Sequence, residues 1–159
     1  MSAPVFPLIA EPPFWRAAAP EEFGLIVGEM PGPGDLDLVP GWQLAFFSIA
    51  QTGGVRAPMW GWVKGEFAVA CLSCGEADIA GLTHLPTGYK IAEFYSEEEA
   101  AFAADVLHPI ADWATVTPDS AKTIRPGRLL SDAGFVNFLV WDGAQPVRVL
   151  RRKLPERLQ

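Results

Sequence analysis

Cys71-Leu72-Ser73-Cys74 is the one pair in the chain with the spacing of a metal or thiol redox centre. A structural zinc needs four ligands. Only His84 and His108 remain to complete a set, at separations that fit no common zinc pattern. If the chain around the pair is extended, the two thiols point to opposite faces and stand about 10 Å apart. A redox pair sits at the start of a helix, whose dipole acidifies the thiol. The few residues between Gly75 and Gly81 leave little room for one. Two ordinary buried cysteines are the preferred reading. A small metal-binding or thiol redox protein using Cys71 and Cys74 is an alternative.

The other chemistry-bearing residues are sparse. His84 stands beside a tight turn and His108 precedes Pro109. Either could serve a nucleophilic triad, but no serine lies in a G-x-S-x-G elbow. Gly32-Pro33-Gly34 lacks both the lysine of a phosphate loop and the third glycine of a dinucleotide fingerprint. Carboxylates are plentiful, and no spacing singles out an acid pair. The chain therefore reads as a non-enzyme with no cofactor and no metal.

Charge excludes a further class. The net charge is −7, and it is unevenly spread. Arg148, Arg151, Arg152, Lys153 and Arg157 against Glu156 give the last dozen residues a local charge of +4, leaving about −11 on the rest. So acidic a body repels phosphate backbones, and nucleic acid is not the expected partner. An acidic mimic of nucleic acid, blocking a nucleic-acid-binding protein, is a further alternative. The scatter of the acids along the chain weakens it.

The aromatic residues point to protein binding instead. Tryptophan occurs six times, at positions 15, 42, 60, 62, 113 and 141. Tryptophan anchors interfaces as well as filling cores. Trp60 and Trp62, two apart on one strand, share a face that lies either under a helix or open to a partner. Phe14 and Trp15 lie on a proline-rich arm. Phe14, Trp15, Trp60 and Trp62 are the candidate partner contacts, and the expected partner is another protein or further copies of this chain. The expected function is a non-enzymatic protein-binding or assembly module.

The elements that must position these residues read as α+β, with a mostly antiparallel sheet of hairpins and one main helix packed on it. Prolines 4, 7, 12, 13 and 20 make residues 1–20 an extended arm. A single domain fills 21–150 and a basic tail 151–159. Residues 23–29 read as a short strand, with a loop from Met30 to Gly41. Residues 42–51 and 55–64 read as a hairpin turning at Gly53-Gly54. That turn sets Phe47 opposite Trp60 and Phe46 opposite Gly61. Residues 66–72 continue the meander. Strands at 79–85 and 89–95 flank Pro86-Thr87-Gly88, with Gly88 as the left-handed residue of a three-residue loop.

Ser96 and Glu99 form a capping box for a helix over 96–108. Its predicted apolar stripe is Phe102, Ala103, Val106, Leu107 and Ile110, and Pro109 ends it. A short helix is possible within 117–133. The last hairpin is 135–141 and 144–150 about Asp142-Gly143. Its first strand is nearly all apolar and so expected at the centre of the sheet, while Pro146 demotes the second to an edge.

With 159 residues, half of them hydrophobic, the chain can bury a substantial core. The longest apolar run, Leu44 to Ala50, is far too short to span a bilayer. The N-terminus lacks the basic region of a signal peptide, so the expected place is the cytoplasm, with no membrane partner. Abundant Ala, Gly and Pro, with Asn137 as the single asparagine, suggest a GC-rich bacterial gene or one from a phage or mobile element.

Overall fold

The computed structural model describes residues 7–19, 21, 41–51, 53–71, 79–142 and 144–153. The expected strand 23–29, the loop to Gly41, Cys74 and the tail beyond Lys153 lie outside the described residues. The fold is α+β. One eight-stranded sheet carries β1 (Trp15–Ala17), β2 (Gln43–Ala50), β3 (Arg56–Lys64), β4 (Phe67–Cys71), β5 (Ala80–His84), β6 (Lys90–Phe94), β7 (Phe135–Asp142) and β8 (Gln145–Arg152). Between β6 and β7 come α1 (Glu97–Leu107), a 3₁₀ turn (His108–Ile110), α2 (Pro118–Ile124) and α3 (Pro126–Asp132). The strand order is β1-β2-β3-β4-β5-β6-β8-β7. Every neighbouring pair is antiparallel except β6 and β8, which join in parallel at Phe94 and Leu150.

The first hairpin differs by one residue from the expected register. Gln51 N–H donates to Val55 O at 2.8 Å, so three residues separate the last pair of the hairpin, one more than expected. Gly53 and Gly54 both take positive φ within it, 89° and 77°. A one-residue slip changes every cross-strand pair. Phe46 therefore faces Trp60, Phe47 faces Met59, and Ala45 faces Gly61. Gly61 is bare for another reason: a Cβ there would lie 2.1 Å from the carbonyl oxygen of Val69. The β4 backbone needs that space.

The loop after β5 also runs one residue longer than expected. His84 N–H donates to Tyr89 O at 2.9 Å, and Gly88 N–H to His84 O at 2.8 Å. Four residues, 85–88, make the turn, and Gly88 has the expected left-handed backbone (φ 75°).

Helix α1 starts at Ser96, whose side chain accepts from Glu99 N–H. It buries Ala100, Ala101, Ala103, Ala104 and Leu107 against Trp62, Phe67, Val69, Leu82 and Phe94 of the sheet. The expected stripe is corrected here: Phe102 and Ile110 are exposed. Alanines let the helix lie close to the sheet, which leaves no room beneath for a phenylalanine. Phe102 packs at the flank instead, 6.1 Å from Phe135. The region 117–133 holds two short helices, broken at Arg125 (φ 54°) just before Pro126.

Candidate functional site

The four predicted contacts separate. Trp62 belongs to the core beneath α1. Trp60 is half-buried on the same face, packed with Phe46, Ala18 and Ile9. Trp15 pairs with Phe47 in β1–β2 and joins the cluster on the opposite face with Val63, Ala68 and Leu85. Phe14 is held from above by Arg56, whose guanidinium lies 3.6 Å from the ring centroid. The same guanidinium donates to Ser48 Oγ (3.1 Å), Leu85 O (3.3 Å) and Pro86 O (2.8 Å). Burial lowers its pKa from the ordinary value. Phe14 and Trp15 are thus half-buried, tied to the 84–88 turn, and Trp60 and Trp62 are not brought together with them.

Of the two histidines, His108 is exposed and His84 is taken into the fold. His84 is buried. Its Nε2 lies 2.6 Å from Trp113 O and its Nδ1 lies 2.9 Å from Thr87 Oγ1. A carbonyl only accepts, so Nε2 carries the proton and Nδ1 accepts from the threonine hydroxyl. Trp113 in turn donates its Nε1–H to Leu107 O at 2.7 Å. The pair fastens the end of α1 to β5. Desolvation pushes the His84 pKa down, outweighing the opposing effects of the Trp113 carbonyl and of Glu66. Beside it opens a cavity of about 300 Å³, walled by Trp113, Ile91 and Val116 with Lys90 and Lys122 at its rim. Among the described residues no three His, Cys, Asp or Glu side chains gather to hold a metal.

Among the described residues, four of the exposed large apolar side chains lie on one strand that the sequence misplaces. β7 is the edge strand and β8 is internal, the reverse of the expected arrangement. The apolar strand is therefore not central. Val136 is 43% exposed, Phe138 40%, Leu139 53% and Trp141 60%. Pro146 is tolerated inside the sheet because of where its missing N–H would point. Tyr95 N–H donates to Leu150 O, so the even residues of β8 face β6. Pro146 faces the same way, four residues beyond the single β6–β8 bridge at Phe94 and Leu150.

The same alternation fixes which groups of β7 face away from β8, with no partner strand among the described residues. Lys153 N–H donates to Gly134 O at 2.9 Å. Along the β7–β8 register the groups of Val136, Phe138 and Val140 then bond to β8. Those of Phe135, Asn137, Leu139 and Trp141 point outward. Beside this edge, Arg151 lies over the rings of Tyr95 (4.3 Å) and Phe138 (5.2 Å). Those rings meet edge-on at 5.5 Å. The signal available in the sequence was the local positive charge beside an apolar strand. An apolar run alone reads as burial.

No family model, curated protein or solved structure matches the chain. Among the described residues no helix is long and apolar enough to cross a membrane.

Proposed function

We propose that this protein is a non-enzymatic protein-binding or assembly module that works through the β7 edge. One observation carries the reading: β7 presents outward amide groups and exposed apolar side chains together. Sheet edges are ordinarily blunted by charge, proline or a bulge. From Phe135 to Trp141 there is no charge and no proline, and the pairing with β8 runs without a register shift. An edge of that kind is suited to accepting a further strand. Phe14 and Trp15 would add contacts only at the far edge of the sheet. The compositional skew suits a phage or mobile-element gene, and so a structural component or an inhibitor of a host protein.

The test is native mass spectrometry on protein purified gently from its own cells, beside the Leu139→Lys variant. The reading predicts that the unaltered chain carries the mass of a further chain, its own or another's. The variant, folded by circular dichroism, should lose it. A bare chain in both samples contradicts it.

A further inference from the structure

We infer that the cavity beside His84 binds a small, flat, apolar molecule of one or two rings that carries a single carboxylate. No residue of β7 lines this cavity, and the inference does not rest on reading β7 as a binding edge.

The space is about 300 Å³ and opens between the turn after β5 and the segment that carries α2. That is the small end of the range for ligand sites, and it suits one or two rings. The floor is apolar in effect. His84 lines it, but both ring nitrogens are already engaged by the Trp113 carbonyl and the Thr87 hydroxyl. Burial lowers the His84 pKa, so at neutral pH the ring adds no charge. The wall made by α2 lacks support. It bounds the cavity through Pro118, Ala121 and Lys122, yet α2 buries none of its residues. Ala121 and Ile124 reach the core only in part. A helix of seven residues depends on packing for its stability, and protein interiors are ordinarily filled to the density of organic crystals. A flat apolar ligand would supply the contacts that the space beneath α2 withholds.

Charge selects the carboxylate. The chain carries 19 acidic residues against 12 lysines and arginines. The charged residues that line this cavity are nevertheless Lys90 and Lys122, and among the described residues no carboxylate joins them. Each lysine has an acidic neighbour on its own element, Glu93 for Lys90 and Asp119 for Lys122. Neither acid lines the cavity. Lys122 and Asp119 stand 3.9 Å apart with both side chains almost wholly exposed. Such a pair contributes little and leaves the ammonium group able to turn to a ligand. An anion held at the mouth, with its ring between apolar walls, meets these cations in surroundings less polar than water. A neutral molecule of the same shape gains from the walls alone, and a cation is repelled.

The test is a titration of the full chain with cinnamate, a flat one-ring carboxylate, followed by proton–nitrogen NMR. The indole N–H of Trp113 and the backbone amides of α2 should shift together along one saturable, one-to-one curve. Cinnamamide, which has the shape without the charge, should bind more weakly by roughly fivefold or more, the effect of one partly exposed ion pair. Cinnamylamine should not bind. Lys122→Glu, at an exposed position, should keep the fold and remove the preference for cinnamate over cinnamamide. Ala121→Phe should fill the space and abolish the binding of both. Cinnamate that gives no saturable shift overturns the inference, and so does equal binding of cinnamamide by the unaltered chain. Shifts that gather on the basic strand β8 instead of on Trp113 and α2 overturn it as well.

Discussion

Glu99 and Arg152, 53 residues apart in the chain, are joined twice: Glu99 Oε2 accepts from Arg152 Nε at 2.9 Å and from the Arg152 backbone N–H at 3.2 Å. Glu99 occupies the position whose side chain would complete the capping box at Ser96. It is drawn instead to the last residue of β8. The guanidinium of Arg152 also lies 4.2 Å from the centroid of Phe102. One carboxylate thus connects the first turn of α1 to the hairpin that bears the exposed edge.

That connection predicts a cost for its loss. Glu99→Ala leaves the Arg152 amide without its acceptor and should lower stability by about 1–2 kcal/mol. The Arg152 side chain is partly open to solvent, which keeps the effect below that of a fully buried pair. Denaturant midpoints at unchanged slope measure it. An unchanged midpoint would show that water replaces the contact.

His84 predicts a pH dependence. Its pKa is lowered in the fold below the ordinary 6.5 by burial. The unfolded chain therefore binds a proton at a pH where the folded chain does not. Stability is complete above about 6.5 and falls as pH drops from there towards the lowered folded value. Proton NMR of the imidazole should report a midpoint below 6.5, and His84→Gln should remove this part of the slope.

Gly61 predicts a steric failure. Any side chain there meets the Val69 carbonyl, a backbone atom that cannot swing away. Gly61→Ala should destabilise by about 2–3 kcal/mol, read by thermal unfolding. A neutral result would mean that β3 and β4 separate freely at this point.

Arg56 predicts that charge alone is insufficient. Its planar fork spans Ser48, Leu85 and Pro86 while its face covers Phe14. Arg56→Lys keeps the cation but cannot hold three acceptors and a ring together. Limited proteolysis should then cut earlier near Phe14 and the 84–88 turn.

The hairpins, the helix start at Ser96 and the left-handed Gly88 were legible because turn and cap residues act locally. The β2–β3 register was not, because Gly53-Gly54 suits two- and three-residue loops alike. The misplacement of β7 has a different origin. Pro146 suggests an edge, but a strand presents alternate amides to each neighbour. What matters is whether β6 extends as far as Pro146, a tertiary fact. The candidate site went unread for the same reason, since Phe138, Leu139 and Trp141 look like core until the strand order is known.

Residue-resolved amide hydrogen exchange on β7 tests the central claim most directly. In the dilute chain the amides of Val136, Phe138 and Val140 should be protected, and those of Asn137, Leu139 and Trp141 should exchange as open groups. On association the second set should become protected while the first stays as it was. If the odd-numbered amides keep exchanging freely in the associated protein, β7 is not where this protein binds.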